Sequence, residues 1–272
     1  MPDWTADLDL ARALADAADQ LTMQRFLAQD LQVETKPDLT PVSDADRAVE
    51  RMLRDRLAIE RPGDVVVGEE YGESGGTSSR RWIVDPIDGT KNFVRGAPVW
   101  ATLIALEANG EVVVGVVSAP ALGGRWWASR GGGAWTVRAS GRITRCQVSA
   151  VASVDDAFLS YSSLPGWRDA GRLDGLLTLT ERVWRTRAFG DFWQHMLVAE
   201  GAVDISCEPE VSLWDLAALQ PIVEEAGGRF TDLSGVARPD GGSVLCTNGL
   251  LHDAVLRALH DDVLRALDPD AG

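Results

Sequence analysis

The stretch that decides the fold is Trp82-Ile83-Val84-Asp85-Pro86-Ile87-Asp88-Gly89-Thr90-Lys91-Asn92-Phe93. Its apolar residues predict a buried strand that ends at Asp85, because Pro86 has no N–H to donate to a sheet ladder. Gly89 allows a tight turn that would bring the carboxylates of Asp85 and Asp88 to one point. Two carboxylates at a strand end suit Mg²⁺, which prefers oxygen ligands. A surface turn is the simpler alternative, and the turn alone leaves both interpretations open.

The composition is that of an ordinary globular enzyme, with 272 residues, 45% of them apolar and 25% charged. The formal charge of −15 argues against nucleic-acid binding, for which a basic surface is expected. The sequence contains neither an apolar run of roughly 20 residues that could span a membrane nor a secretory signal. Three widely spaced cysteines predict buried thiols in a reducing cytoplasm and no zinc site. These cysteines are Cys146, Cys207 and Cys246.

Two helices are predicted before the turn. Apolar residues recur at helical spacing from about residue 5 to residue 29. Ser43 is predicted to cap a second helix, with Asp46 at the third helical position. Asp44 lies in the first turn of the same helix, where the helix dipole already favours a carboxylate. The position of Asp44 is therefore explained without any catalytic role.

A pair of glutamates follows a predicted buried strand. The β-branched run Val65-Val66-Val67 leads directly into Glu69 and Glu70. Solvated side chains at a strand end are one interpretation of this pair, and ligands for a cation are the other. Residues 72–80 are rich in Gly, Ser and Thr, which predicts an exposed loop before the next strand.

Residues 1–147 are predicted to form an N-terminal half that contains the metal-binding motif. After its two helices we expect a mostly antiparallel sheet of roughly six strands. The predicted hairpins join residues 99–106 to 112–118 and residues 125–128 to 134–137. Asn109-Gly110 is a strong turn signal for the first hairpin.

Residues 148–272 are predicted to form a C-terminal half in which strands and helices alternate, which favours α/β layering. The predicted helices are 171–182, 191–201, 214–226 and a last, acidic-ended helix from residue 250 onward. Asp215 falls in the first turn of the third of these helices, where the helix dipole is again a sufficient explanation. The two halves are expected to form one compact catalytic unit.

Three separated motifs together resemble the inositol monophosphatase-like superfamily of metal-dependent phosphomonoesterases. The motifs are Gly68-Glu69-Glu70, Asp85-Pro-Ile-Asp-Gly-Thr-Lys-Asn-Phe93, and Trp214-Asp215-Leu-Ala-Ala with Glu225-Ala-Gly-Gly228. The resemblance implies an α/β fold, specifically the layered αβαβα sandwich of this superfamily. Within the superfamily the chain is most similar to the bacterial histidinol-phosphate phosphatases of actinobacterial type. Residues 35–42, 91–96 and 187–192 carry this narrower resemblance.

The resemblance implies two or three Mg²⁺ ions in each active site. The implied ligands are the side chains of Glu69, Asp85, Asp88 and Asp215 and the carbonyl group of Ile87. Asp85 would bridge two ions, and Glu69 would also hold a third, looser ion with Asp44 nearby through water. Such a cluster makes physical sense, because bound cations reverse the charge that would otherwise repel a phosphate monoester.

The resemblance also implies the remaining site residues. Thr90 with the pair Glu69 and Glu70 would orient and deprotonate the attacking water. The implied substrate contacts are Glu69, Ile87, Asp88, Gly89, Thr90, Arg187, Gly190, Asp191, Glu208, Asp215 and Asn248. The backbone N–H groups of Gly89 and Thr90 would receive phosphate oxygens, and Asn248 would approach a site across a subunit boundary. His195 is interpreted as an ordinary helix residue.

The leaving group distinguishes the possible substrates. Histidinol phosphate carries an amine and an imidazole, which Asp191 and Glu208 could bind as cations, whereas an inositol ring offers neutral hydroxyl groups. A helix N-cap is the alternative role of Asp191, because it follows Gly190 at a predicted helix start.

The resemblance therefore implies Mg²⁺-dependent hydrolysis of L-histidinol phosphate by a metal-activated water, within histidine biosynthesis. An inositol-1-monophosphatase, or a related small-molecule phosphatase, is the alternative. A cation-binding regulatory protein without catalysis is a different class, which a broken ligand set or a missing Thr90 would indicate, and both are intact. The family also implies inhibition by Li⁺ and a homodimer.

Overall fold

The computed structural model describes residues 3–37 and 39–267. Its helices are α1 (Thr5–Arg25), α2 (Asp44–Glu60), α3 (Thr90–Arg95), α4 (Leu164–Asp169), α5 (Leu173–Arg182), α6 (Asp191–Ala199), α7 (Leu213–Leu216), α8 (Leu219–Glu225) and α9 (His252–Leu267). None of the helices in these residues is both long and apolar enough to span a membrane. Asp38 and the acidic end predicted for the last helix lie outside the described residues.

The strands are β1 (Val33–Thr35), β2 (Pro41–Ser43), β3 (Val65–Gly68), β4 (Gly72–Gly75), β5 (Arg80–Asp88), β6 (Ala101–Ala108), β7 (Glu111–Ala119), β8 (Gly124–Ser129), β9 (Gly133–Val137), β10 (Ile143–Arg145), β11 (Phe158–Tyr161), β12 (Arg185–Arg187), β13 (Ile205–Glu208), β14 (Arg229–Thr231) and β15 (Val244–Thr247). The larger sheet has the order β10-β9-β8-β7-β6-β5-β3-β4, and only β3 and β5 pair in parallel among its described strands. The smaller sheet has the order β12-β11-β13-β15-β14.

Helices and sheets alternate in layers. Helices α1 and α2 cover one face of the larger sheet, where Leu14 and Leu53 pack against Trp82. Helices α6 and α8 fill the space between the two sheets through residues such as Met196 and Ile222. Helices α5 and α9 cover the outer face of the smaller sheet. This order confirms the predicted αβαβα sandwich.

Strand β5 continues past Pro86, which corrects the predicted strand end at Asp85. The pairing with β6 is interrupted after Asp85 and resumes at Asp88, opposite Ala101. The missing N–H of Pro86 therefore produces an irregularity in the ladder and does not end the strand. Both aspartates consequently lie on one rigid strand.

Two further expectations are corrected. Part of the predicted loop at residues 72–80 forms β4, an exposed edge strand that pairs with β3. The predicted helix 214–226 is divided into α7 and α8. Pro221 explains the division, because it cannot donate the helical hydrogen bond to the carbonyl group of Ala217.

An aromatic cluster supports the turn that follows β5. The ring of Phe93 lies 5.0 Å from that of Trp100 and 5.5 Å from that of Phe26, measured between centroids. Ile87 is completely buried in the same cluster. Because this packing anchors both ends of the turn, the polar groups between Ile87 and Phe93 are held in place.

Candidate active site

Three carboxylates meet at the end of β5. Asp85 and Asp88 come from the strand itself, and Asp215 comes from the first turn of α7. One oxygen from each side chain lies within 4.8 Å of the others. The predicted metal ligands Asp85, Asp88 and Asp215 are therefore brought together from residues that are far apart in the sequence.

Backbone N–H groups orient all three carboxylates. The bonds run from Ile87 N to Asp85 Oδ1 (2.9 Å), from Phe192 N to Asp88 Oδ2 (2.8 Å) and from Ser212 N to Asp215 Oδ2 (2.7 Å). Each bond fixes one oxygen of its carboxylate. The other oxygen of each side chain remains for a cation, as far as the hydrogen bonds of the described residues show.

Without a cation, the cluster disfavours the charged form of its carboxylates. Burial, reinforced by the neighbouring carboxylates, raises the pKa of Asp85 and of Asp88 well above the ordinary value. Burial and the charge of Glu69 raise the pKa of Asp215 to about 7. Hard oxygen donors that repel one another in this way fit Mg²⁺ better than they fit a soft metal.

Glu69 and Glu70 lie beside this cluster and share a lysine. Lys36 Nζ is 2.7 Å from Glu69 Oε1 and 2.6 Å from Glu70 Oε1. Burial of Lys36 lowers its pKa, but the hydrogen bonds to both carboxylates outweigh this effect and raise the pKa above its ordinary value. The ammonium group thus pairs with both glutamates, of which Glu69 is also expected to bind a metal ion.

Lys36→Met is expected to tighten Mg²⁺ binding by about three- to tenfold, because a competing cation leaves Glu69 and Glu70. Calorimetric titration of the metal-free protein with Mg²⁺ measures this change. Arg130→Met is the control, since it removes one positive charge at an ion pair with Glu111 elsewhere on the surface. Unchanged or weaker Mg²⁺ binding by the Lys36 variant would show that the lysine does not compete with the metal.

Thr90 contacts Asp46, whereas Asp44 pairs with Arg25. Asp44 Oδ2 pairs with Arg25 at 2.8 Å, whereas Thr90 Oγ1 lies 3.2 Å from Asp46 Oδ1. Asp46 is fully buried, and its other oxygen accepts a hydrogen bond from the N–H of Ser43. The first position of α2 points Asp44 toward Arg25, and the third position points Asp46 inward. Sequence reasoning had used Asp46 only as a helix cap.

Sequence reasoning also missed Glu50, which positions the glutamate pair. The completely buried carboxylate of Glu50 accepts hydrogen bonds from the backbone N–H groups of Glu70 (2.7 Å) and Tyr71 (3.1 Å). Gly68 is required here, because a Cβ at that position would lie 2.1 Å from Glu50 Oε1. The Glu69–Glu70 turn is therefore built around a buried anion.

Asp191 approaches the other side of the cluster. Its Oδ2 accepts a hydrogen bond of 2.7 Å from the side-chain amide of Asn92. Gly190 and Asp191 both have positive φ angles, of 71° and 48°. The backbone is strained at Asp191, because residues other than glycine rarely adopt that conformation. Burial and then the charge of Glu208 raise the pKa of Asp191 to about 6.

Glu208 ends β13 close to the same cluster. Its charge contributes to the raised pKa values of Asp88, Asp191 and Asp215. The Glu208 side chain is 12% exposed. The site therefore contains two carboxylates, those of Asp191 and Glu208, in addition to its metal-type cluster.

Two further predicted contact residues, Arg187 and Asn248, have hydrogen-bond partners outside the cluster. Arg187 is exposed on the edge strand β12, and its guanidinium group donates to the carbonyl group of Thr186. Asn248 is buried, and its amide donates to Ser149 Oγ and to the carbonyl group of Val151. The structure thus gives Asn248 partners within its own chain.

A separate surface groove of about 410 Å³ lies between α8 and the larger sheet. Two ion pairs line it, one between Arg81 and Glu107 and one between Arg130 and Glu111. The catalytic candidates do not line this groove, so we do not assign the reaction to it.

The described fold and carboxylate cluster define a layered α/β protein with an acidic site suited to metal ions. The sequence model of the inositol monophosphatase family matches residues 3–264. The chain belongs to this family, which confirms the resemblance seen in its motifs. Members of the family are metal-dependent enzymes, typically with Mg²⁺.

Similar proteins cover nearly the whole chain. A histidinol-phosphatase of Mycobacterium tuberculosis is 61% identical over 93% of this chain and 97% of its own length. A histidinol-phosphatase of Streptomyces coelicolor is 58% identical over 94% of this chain and 97% of its own length. The solved structure of a Thermotoga maritima IMPase has a TM-score of 0.84 at 32% identity and covers 96% of this chain and 99% of its own.

Proposed function

We propose that the protein is a Mg²⁺-dependent phosphomonoesterase that hydrolyses L-histidinol phosphate to L-histidinol and phosphate in histidine biosynthesis. The observation that carries this proposal is the pair Asp191 and Glu208 beside the metal-type cluster. A leaving group with an ammonium and an imidazole would offset their charges, whereas neutral hydroxyl groups would leave two partly buried charges uncompensated. The two histidinol-phosphatases named above, at 58% and 61% identity, support it.

The proposed Mg²⁺ ligands are the carboxylates of Glu69, Asp85, Asp88 and Asp215 and the carbonyl group of Ile87. We propose two or three ions per site. When bound, Mg²⁺ would neutralise the charge of the phosphate and activate the attacking water. The Ile87 carbonyl group accepts a hydrogen bond of 2.9 Å from Thr90 Oγ1, and its second lone pair can serve a metal.

Thr90 and Asp46 are proposed to receive the proton of the water. The Thr90 hydroxyl lies between the carbonyl group of Ile87 and Asp46 Oδ1. It can pass its own proton to Asp46 while it accepts another from water. Burial raises the pKa of Asp46, which favours proton uptake by its carboxylate. Asp46 thus joins the groups proposed for this step, and Glu69 and Glu70 remain proposed partners of it.

Substrate contacts complete the proposal. The backbone of Gly89 and Thr90 would bind phosphate oxygens, and a side chain at Gly89 would approach the carbonyl oxygen of Val99 to 2.8 Å. Asp191 and Glu208 would bind the cationic groups of the leaving group. Contacts from Gly190, Arg187 and Asn248 stay predictions.

A panel of phosphate monoesters tests the proposed function. Phosphate release from L-histidinol phosphate, inositol 1-phosphate and fructose 1,6-bisphosphate is measured with Mg²⁺, with chelator and with added Li⁺. We expect L-histidinol phosphate to be hydrolysed best, only with Mg²⁺, and with inhibition by Li⁺. Faster hydrolysis of inositol 1-phosphate would favour the alternative function.

Asp191→Asn is expected to lower kcat/KM for L-histidinol phosphate by about tenfold or more, because a charge-assisted bond is lost. The amide oxygen of the new side chain can still accept the Asn92 hydrogen bond, which preserves the local structure. Hydrolysis of inositol 1-phosphate should change much less. Asp169→Asn, on the exposed helix α4, is the matched control. An equal loss for both substrates would contradict a charge-specific role of Asp191.

We also propose a homodimer, as the family resemblance implies, and a cytoplasmic location. The 68% exposed ring of Trp184 beside the edge strand β12 supports a second copy on this face. The three cysteines are buried free thiols, which is consistent with a reducing compartment. Light scattering of the purified protein tests the oligomeric state, and a monomeric mass would overturn it.

A further inference from the structure

Two buried side chains behind the substrate site hold one oxygen of Glu208. Gln194 Nε2 lies 2.6 Å from Glu208 Oε1, and His195 Nε2 lies 3.1 Å from the same oxygen. Gln194 is 0% exposed and His195 1% exposed. Because a carboxylate oxygen can only accept, both side chains donate to it.

A second pair of buried groups fixes these donors. Ser160 Oγ donates to Gln194 Oε1 at 3.0 Å, so that the amide NH₂ of Gln194 must face Glu208. Ser206 Oγ lies 2.9 Å from His195 Nδ1, which leaves Nε2 to carry the proton toward Glu208. The arrangement is that of a satisfied buried network and so has little freedom to rearrange.

Helix α6 connects this network to the rest of the site. The helix begins with Asp191, donates the N–H of Phe192 to Asp88, and presents Gln194 and His195 one turn later. Residues three and four positions apart share one face of a helix. One helix therefore positions a metal ligand and both carboxylates proposed to bind the leaving group.

We propose that Gln194 and His195 are positioning residues that make Glu208 selective for a cationic leaving group. They saturate Oε1, so Oε2 alone is left to receive the substrate. A lone, fixed carboxylate oxygen favours a charged N–H donor over the hydroxyl groups of a neutral ring. This inference rests on the proposed function and adds the residues behind its specificity.

The test compares kcat/KM for L-histidinol phosphate and for inositol 1-phosphate in the full-length protein with Mg²⁺. Gln194→Leu and His195→Phe are each expected to lower the value for L-histidinol phosphate by about tenfold, mainly through a higher KM. The value for inositol 1-phosphate should stay within about twofold, as expected where no specific contact is lost. A general structural defect would lower both values together.

Two further variants separate positioning from packing. His195→Gln can return a donor toward Glu208 and should restore most of the preference that His195→Phe loses. Met196→Leu is the control for the same helix, because it replaces a buried apolar side chain by one of similar volume. Gln194→Met, which keeps the length of the side chain, is measured if Gln194→Leu does not fold.

The measurements on the wild type and on the variants distinguish failure of the proposed function from failure of this inference. If the wild type shows no preference for L-histidinol phosphate, the proposed function fails and the inference with it. If the wild type shows the preference and folded variants of Gln194 and His195 retain it, the inference alone is overturned. Equal losses for both substrates would also overturn it, since Glu208 would then serve any leaving group.

Discussion

Asp88→Asn is expected to reduce turnover by about a thousandfold or more while the protein stays folded. Asp88 supplies one of the three converging carboxylate oxygens, and an amide binds Mg²⁺ far more weakly than a carboxylate does. The N–H of Phe192, 2.8 Å from Asp88 Oδ2, can still donate to the amide oxygen of the variant. The change therefore removes charge and leaves the local hydrogen bond.

Metal-free Asp88→Asn should unfold at the same temperature as the metal-free wild type or at a higher one. Without a metal, burial and the charges of Asp191 and Asp215 disfavour a charged Asp88, and an amide removes that cost. Turnover, Mg²⁺ binding and thermal unfolding are measured together. Asp55→Asn, on the exposed face of α2, is the control. Near wild-type turnover at low Mg²⁺ would contradict the proposed role of Asp88 as a metal ligand.

The carboxylates proposed as metal ligands stand at positions that local patterns mark, although those patterns alone left a surface turn and a helix-dipole role open. Asp85 and Asp88 flank Pro86 on an apolar strand, and Asp215 begins an apolar helix. Such patterns depend on neighbours in the sequence. The pairing of β3 with β5, which places Glu69 near Asp85, depends on long-range packing that the resemblance alone supplied.

The capping pattern at Ser43 indicates only one of the two contacts of Asp46. The segments from Ser43 to Asp46 and from Ser212 to Asp215 form the same arrangement, in which the third helical residue returns one carboxylate oxygen to the N–H of the capping serine. In both cases the other oxygen is turned toward the site. The capping pattern therefore indicates the position of the Asp46 side chain, but it does not indicate the contact with Thr90.

Residues that act through others could not be predicted from the sequence. Glu50 holds the backbone of Glu70, and Gln194 holds the side chain of Glu208. Both Glu50 and Gln194 lie on helices, where a polar residue ordinarily faces solvent. Their complete burial, which only the structure shows, requires a hydrogen-bond partner for each side chain. The same holds for His195, which had been interpreted as an ordinary helix residue.

Removal of metal is expected to make the stability of the protein fall as the pH rises. The pKa of Asp215 is about 7 in the folded, metal-free protein, against an ordinary value of 3.8. The folded state therefore binds this proton more tightly than the unfolded state does. Its contribution to stability is fully present below the ordinary value and is lost as the pH rises through about 7. The raised pKa values of Asp85 and Asp88 act in the same direction.

His252 acts in the opposite direction at lower pH. Burial lowers its pKa from 6.5 to about 4, so its contribution to stability increases as the pH rises from about 4 through 6.5 and then levels off. The prediction is therefore tested from pH 6.5 upward to about pH 8, where the carboxylate cluster still titrates and only the end of the opposing His252 contribution remains.

With chelator present, the unfolding temperature should fall by several degrees between pH 6.5 and about pH 8. Saturating Mg²⁺ should remove most of this decrease. The metal takes the place of the bound protons, so stabilisation by Mg²⁺ should be larger at the higher pH. Asp215→Asn should flatten the profile in chelator, because the substituted group no longer titrates. A wild-type profile that rises with pH in chelator, or Mg²⁺ stabilisation that does not depend on pH, would contradict a cluster that exchanges protons for metal ions.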